Sequence, residues 1–187
     1  TAYRRQRQMC IRDRGKPAMK TTDENGRDHF KGHAIASEQI AKTVMKRLKF
    51  DNDTIRKVTK LVAYHDYRME PTGANVRRAM HEIGVELFPY YLAVRLADTK
   101  AQSSYERRGK LENIIQIREL YRNALRNKEC VTLKDLAVTG TDLINLGIAP
   151  GKELGTLLNE LLDMVIEDPA WNQKGKLCDY VKERFGF

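Results

Sequence analysis

The stretch that decides the fold is DNDTIRKVTKLVAYHD, residues 51–66. Its apolar side chains follow one another at intervals of three or four residues, which is the period of one face of an α-helix. Asn52 and Asp53 precede them and are residue types that cap helix N-termini. The pattern therefore predicts an amphipathic helix whose last turn is followed by His65 and Asp66. Its apolar stripe comprises Ile55, Val58, Leu61 and Val62.

The same helical period continues on both sides of this segment. No strand-like alternation of apolar and polar residues accompanies it, so the sequence predicts an all-α fold. Thr72, Thr141 and Pro150 are residue types that begin helices, and Gly84 is one that ends them. The further predicted helices run over about residues 34–49, 72–84, 87–100, 104–127, 142–146, 150–168 and 177–185. A composition shift near residue 129 divides the prediction into a helical bundle, 15–128, and a smaller C-terminal helical subdomain, 129–187.

Composition and charge restrict the class of protein. Hydrophobic residues make up 41% of the 187 residues, enough for a core, and the net charge is +9, which favours an anionic partner such as nucleic acid. Cys10, Cys130 and Cys178 are scattered, which is typical of reduced thiols. No apolar run approaches the roughly 18 residues that a membrane span needs. These features predict a cytoplasmic protein without a membrane partner.

The first fourteen residues, TAYRRQRQMCIRDR, show neither a helical nor a strand period. They hold five arginines against one aspartate, so they carry +4 of the net charge. Residues 9–14 also match the peptide that a sequencing-library adapter encodes. We therefore predict that 1–14 are a non-native segment and that the natural sequence begins near Gly15. The alternative interpretation is a basic tail that binds RNA.

Three side chains could form a metal site at the helix ends. His33 begins the first predicted helix, His65 ends the second, and Asp98 lies near the end of the fourth. Histidine and carboxylate groups gathered from several helices can bind a divalent cation in a helical bundle. The alternative is that the histidines are core or helix-end residues and that Asp98 is a cap or a surface charge.

These residues lie in motifs that resemble the HD-domain metal phosphohydrolases and, more narrowly, the bacterial CCA-adding tRNA nucleotidyltransferases and poly(A) polymerase-like proteins. The resemblance implies that His33, His65 and Asp98 bind a divalent metal (Mg, Mn, Ni or Zn), with Asp66 as a nearby catalytic carboxylate. It also implies a C-terminal tail that contacts tRNA. The matching segments are Gly15–Pro17, Phe30–His33, Ala63–Asp66, Arg95–Gln102, Leu133–Leu143 and Leu146–Gly155.

The sequence departs from this family in two ways. The family's first His-Asp pair falls on Arg12-Asp13, and a guanidinium cannot bind a cation, so we expect weak metal binding and poor hydrolysis. The N-terminal nucleotidyltransferase head has no counterpart in residues 1–14. We therefore expect a fragment, the HD and tRNA-binding body of such an enzyme, that holds tRNA without adding nucleotides.

Basic residues on the predicted helices suggest where RNA would bind. Lys and Arg side chains hold phosphates, as do helix N-termini. The candidates are Arg77 and Arg78, then Arg107, Arg108 and Lys110, and Lys152 after a glycine turn. Each cluster could equally be an ordinary solvated helix face. Two other functions stay open: a stand-alone HD phosphohydrolase of nucleotides or phosphoesters, and a structural helical module without a ligand.

Overall fold

The structure is a computed structural model that describes residues 11–101 and 106–186. The prediction of an all-α fold is confirmed. The helices are α1 (His33–Arg47), α2 (Asn52–Tyr64), α3 (Gly73–Ile83), α4 (Phe88–Ala101), α5 (Arg107–Arg126), α6 (Gly140–Asn145), α7 (Lys152–Glu167) and α8 (Lys174–Phe185), with 3-10 turns at Pro17–Met19, Leu133–Asp135 and Pro169–Trp171.

These elements form two compact units. The first unit holds the described residues up to Arg68 and those of Val85–Arg107. The second holds Met69–Gly84 and the described residues from Arg108 onward. The two units therefore alternate along the chain, whereas the composition shift near residue 129 suggests a single division.

In the first unit, α1 and α2 pack along each other. The buried face of α1 comprises His33, Ser37, Ala41 and Met45, which recur every four residues. The interface between the two helices is therefore continuous from the N-terminal end of α1. Because α2 runs back along α1, its C-terminal end, which carries His65, lies beside His33 at the start of α1.

A short strand pair precedes α1 in the first unit. Thr21–Thr22 (β1) pairs antiparallel with Asp28–His29 (β2). The turn between them is stabilised by Asp23, whose Oδ1 accepts backbone N–H bonds from Asn25 and Arg27. Strands of two residues are too short to show alternation in the sequence, which is why the sequence does not predict them.

In the second unit, α7 is the central helix and contacts α3, α6 and the 3-10 turns that flank it in sequence. Most of its broad apolar face is buried, as the density of leucines in the sequence suggests. The core that forms around it is wholly hydrophobic. It includes Leu143, Leu157, Leu161, Leu162, Val165, Ile166, Leu177 and Val181.

Side-chain caps set the N-termini of α2 and α3. Asp51 caps α2, since its Oδ1 accepts a bond of 2.8 Å from the backbone N–H of Thr54. The predicted caps Asn52 and Asp53 instead lie inside the first turn. Thr72 caps α3 as predicted, and Gly84 ends it with a φ of 101°.

The starts of α6 and α7 differ from the predictions. Thr139, rather than Thr141, caps α6, because Thr139 and Asp142 form a reciprocal capping box. Gly151 immediately precedes α7, so Pro150 lies outside the helix instead of in its first turn. Among the described residues, no helix combines the length and apolar character that crossing a bilayer requires.

Candidate metal centre

Two buried histidines meet where the end of α2 lies beside the start of α1. His33 is the first residue of α1, and His65 directly follows α2. Their Nε2 atoms are 3.2 Å apart, and the rings contact edge to face with centroids 5.1 Å apart. Each histidine exposes only 7% of its surface. The structure therefore brings two of the three predicted metal ligands together.

The other ring nitrogen of each histidine faces a backbone carbonyl. His33 Nδ1 lies 2.8 Å from the oxygen of Phe30, and His65 Nδ1 lies 2.7 Å from that of Val62. A carbonyl only accepts, so these contacts assign a proton to Nδ1 in both rings. In the neutral form, both Nε2 atoms then present lone pairs to each other. Histidines that bind a metal through one ring nitrogen commonly donate the N–H of the other to a backbone carbonyl in this way.

Asp13 supplies a carboxylate to the same point. Its Oδ1 lies 3.7 Å from His33 Nε2 and 3.6 Å from His65 Nε2. These three atoms form a group that could hold a cation. A cation bound at about 2.0–2.2 Å from N and O ligands holds them roughly 3–3.6 Å apart. The residues present therefore fit a bound divalent metal.

The position of Asp13 follows from close contact between Gly15 and α1. The backbone N–H of Gly15 donates to Ser37 Oγ at 2.9 Å. A Cβ on Gly15 would lie 2.6 Å from the carbonyl oxygen of His33 and 2.7 Å from the backbone nitrogen of Ser37. Only glycine allows this approach, which places Asp13 over the two histidines. The sequence comparison aligned Asp13 with the family's first His-Asp pair but did not count it among the candidate ligands, although its place before Gly15-Lys16-Pro17 was a signal for that role.

Asp98 lies in the same cavity but outside the group of three ligands. Its Oδ1 is 2.5 Å from Nη2 of Arg12, while Arg12 Nε is 3.3 Å from Asp13. The guanidinium therefore bridges the two carboxylates. In this arrangement Asp98 neutralises the charge of Arg12. Metal binding by Asp98 stays a prediction.

Charges around the site keep Asp13 ionised. Burial alone would raise the pKa of Asp13, but the hydrogen bond and charge of Lys16 and the charge of Arg12 hold it below its ordinary value. Lys16 Nζ lies 2.8 Å from Oδ1 of Asp13. The ligand is thus a carboxylate at neutral pH, although two cations would compete with a metal for it.

The three ligands lie at the wall of an open cavity of about 600 Å³. Asp66, the predicted catalytic carboxylate, lines it, but its side chain is half exposed and lies 3.4 Å from Arg68. The cavity is lined by acidic and basic side chains in equal numbers. The basic ones are Arg12, Lys16, Lys31 and Arg68, and the acidic ones are Asp13, Asp28, Asp66 and Asp98.

The structure separates the two arginines predicted to bind RNA on α3. Arg77 is 7% exposed, and it donates to the carbonyls of Ile166 and Glu167 and to the carboxylate of Glu129. The guanidinium is occupied inside the second unit and cannot serve as a surface phosphate contact, so Arg77 is a structural residue. Arg78 is exposed and forms a surface ion pair with Glu167.

The remaining RNA candidates lie at helix N-termini. Arg107 and Lys110 are half-buried in the first turn of α5, while Arg108 is exposed and pairs with Glu112 at 2.9 Å. Lys152 is an exposed first residue of α7, whose N-terminus has no side-chain cap. These positions are compatible with phosphate contacts.

Fold and site together define an all-helical protein with a candidate metal centre of two histidines and one aspartate. The chain belongs to the family described as "tRNA nucleotidyltransferase domain 2 putative", whose model matches residues 33–181. This finding confirms the resemblance stated from the sequence at the level of the family.

The CC-adding tRNA nucleotidyltransferase of Thermus thermophilus is 28% identical to the chain over 161 residues. That match covers 83% of the chain and 34% of the relative, so the chain spans about a third of the length of this protein. No solved structure matches the chain.

Proposed function

We propose that this chain is the metal-binding and tRNA-binding helical body of a tRNA nucleotidyltransferase that acts in the processing of tRNA 3′ ends. The observation that carries the proposal is the family match, which begins at His33 and extends through both structural units. The named relative, a CC-adding enzyme, supports tRNA as the partner.

Nucleotide addition itself is proposed to require a polymerase head elsewhere in the parent protein, because the chain corresponds to a third of its relative. We keep three further predictions in this proposal. Residues 1–14 are non-native, so that Asp13 matches the family's carboxylate by coincidence. The bundle of 15–128 and the tail of 129–187 differ in function, and the protein works in the cytoplasm. Resequencing the source DNA across codon 14 tests the first of these.

His33, His65 and Asp13 would hold the metal in this proposal. Imidazole ligands favour Zn or Ni over Mg, which prefers oxygen ligands. A bound metal in such a site supplies Lewis-acid activation of water for phosphoester hydrolysis. Arg12 opposes this chemistry, because its guanidinium forms an ion pair with the Asp98 carboxylate and its positive charge repels a metal ion. We therefore propose weak metal binding and little hydrolysis in this chain.

Metal analysis of the purified protein tests this centre. The wild-type protein is expected to bind Mn²⁺ or Co²⁺, and His65→Ala is expected to lose that binding. His81→Ala is the matched control, because His81 belongs to the second unit, where its Nδ1 bonds to the carbonyl of Val131. A wild-type protein that binds no divalent metal, or a His65→Ala variant that binds it equally well, would contradict the centre.

A gel shift with tRNA across a salt series tests the RNA-binding role. Affinity should fall steeply with salt, since each phosphate contact releases counterions. Removing Arg108 and Lys110 together should weaken binding and reduce the salt slope by about 1 to 2. The control removes Arg56 and Lys57, which pair with Asp53 on the surface of the first unit. An equal loss in both variants would contradict a specific RNA face.

The cavity favours one second candidate, a stand-alone phosphohydrolase. Lys16, Lys31 and Arg68 line it beside the proposed metal ligands, and such cations could hold the phosphate of a nucleotide. Hydrolysis of a chromogenic phosphodiester in the presence of Mn²⁺, lost in His65→Ala, would favour this function. tRNA binding without hydrolysis favours the first.

A further inference from the structure

The backbone carbonyl of Tyr67 is held by two side chains of α4. Tyr91 Oη donates to it at 2.7 Å, and Nη1 of Arg95 donates to the same oxygen. Arg95 Nη1 also lies 3.1 Å from Tyr91 Oη, so the three groups form a closed triangle. We call this arrangement the Tyr67 clamp.

The clamp acts on the segment that carries a proposed metal ligand. Helix α2 ends at Tyr64, and Tyr67 lies only two residues after His65. Beyond the helix end, the backbone N–H of Tyr67 donates to the carbonyl of Tyr64 at 3.0 Å. The tertiary bonds to Tyr67 therefore fix the direction in which the chain leaves His65.

The clamp lies in a protected environment. Tyr91 is 1% exposed, and its ring packs on Phe88 with centroids 5.5 Å apart. Burial raises the pKa of Tyr91 despite the nearby charge of Arg95, so the phenol stays a proton donor. The bonds to the Tyr67 carbonyl are part-buried, so a carbonyl that loses both donors exchanges two fixed partners for solvent and loses its restraint.

One face of helix α4 carries both clamp residues and Asp98. Tyr91, Arg95 and Asp98 are spaced four and three residues apart, which places them one above another. Asp98 lines the cavity and bonds to Arg12. The same helix face thus restrains the turn after His65 and contributes to the wall of the cavity.

We propose that Tyr91 and Arg95 are positioning residues of the metal centre, which hold the Tyr67 carbonyl and thereby keep His65 Nε2 directed at His33 Nε2. This inference rests on the metal centre proposed above. In this role Tyr91 and Arg95 act on the backbone of Tyr67 and not on the metal ligands themselves. Their effect is transmitted through two residues of backbone.

The test compares Tyr91→Phe, Arg95→Met and the double variant with the wild-type protein. Co²⁺ alone is the probe, with affinity measured by calorimetry and geometry by the visible absorption spectrum of the bound ion. We expect each single variant to bind Co²⁺ about tenfold more weakly, as is typical when outer-shell support is removed, and to change the spectrum. In the metal-free protein, amide exchange should rise in the peptide that covers residues 65–68.

Leu92→Ala is the matched control. Leu92 is a buried residue of α4, 3% exposed, that makes none of the clamp's hydrogen bonds. It should lower the melting temperature while leaving the affinity for Co²⁺ and its spectrum unchanged in the folded protein. A loss of affinity that simply follows melting temperature across all variants would overturn the positioning role.

The outcomes separate the two proposals. A wild-type protein that binds no Co²⁺ rejects the metal centre and this inference with it. A wild-type protein that binds Co²⁺ in a His65-dependent manner, together with clamp variants of equal affinity and spectrum, rejects only the positioning role.

Discussion

At the residue scale, the sequence identified two of the three clustered candidate ligands. His33 and His65 could be predicted because each lies at a helix end within a recognisable motif. Asp13 was aligned with the family's first His-Asp pair but was not predicted as a ligand, because it lies in a segment without periodicity. Its contact with the histidines depends on the packing of Gly15 against α1. The ion pair between Arg12 and Asp98 was also hidden, since it joins residues that are 86 positions apart.

Arg12→His should strengthen metal binding by roughly tenfold or more, the size of effect usual for changes near a metal. The substitution removes a cation that repels the metal, frees the Asp98 carboxylate and adds an imidazole donor. Calorimetric titration with Mn²⁺ measures the effect. Arg14→His is the control, because Arg14 is exposed and does not line the cavity. Equal affinities for both variants would show that Arg12 does not limit the site.

Arg77 and Arg78 give a second test, on neighbouring residues of the same type. Arg77→Ala should lower the free energy of unfolding by about 3 kcal/mol, since it leaves Glu129 and two carbonyls without their buried partner. Arg78→Ala should change it by less than about 0.5 kcal/mol, because its ion pair is exposed. Urea denaturation measures both, and similar losses would refute the distinction.

At the scale of elements, the helices could be predicted and their ends only in part. Thr72 and Gly84 were correctly predicted as the ends of α3, because each is a residue type that favours a helix end and each lies at a boundary of the apolar pattern. For α6, Thr139 and Thr141 both lie just before the apolar run that begins at Leu143. The choice depends on which threonine can form a reciprocal bond with a carboxylate three residues later. On α5, helical spacing alone does not show which apolar residues face inward: Ile114 and Ile117 are buried, whereas Ile115 and Leu125 are exposed.

The cap of α6 predicts a pH dependence. Bonds from Lys174 and Thr139 lower the pKa of Asp142 to about 2, below its ordinary value of 3.8. Because the folded-state pKa is the lower one, Asp142 stabilises the fold above about pH 4, and this contribution is lost as the pH falls toward 2. Asp142→Asn should therefore be destabilised at pH 7 and should converge with the wild-type protein near pH 2.

Thermal melts between pH 2 and 7 measure this difference. Asp163→Asn, which removes an exposed carboxylate of α7, gives the background effect of losing one negative charge. A difference between Asp142→Asn and the wild-type protein that stays constant with pH would mean that the carboxylate charge does not stabilise the cap.

At the scale of the whole molecule, the all-α class followed from periodicity, whereas the division into units did not. Composition marks a change near residue 129, but α3 packs on α7 and belongs to the second unit. Long-range bonds such as those from Arg77 to residues 166 and 167 leave no local trace in the sequence, so no pattern could predict this arrangement.

This arrangement makes a prediction about fragments. A fragment of residues 129–187 lacks α3 and should expose the face of α7 that α3 covers, so it should unfold with little cooperativity. A fragment of residues 69–187 retains α3 and should unfold more cooperatively. Calorimetry compares the two, and an equally sharp transition in the shorter fragment would instead support an independent tail.

The contact of Gly15 with α1 has a practical consequence. The close packing of this glycine against α1 fixes the backbone before it. Any side chains at positions 12 and 13 therefore lie beside the two histidines. That dipeptide is an exchangeable part of an otherwise constant scaffold. A small library varied only at these two positions could be screened for ion preference. It would range from one basic and one acidic residue, as here, to two acidic residues, and no helix would need to be redesigned.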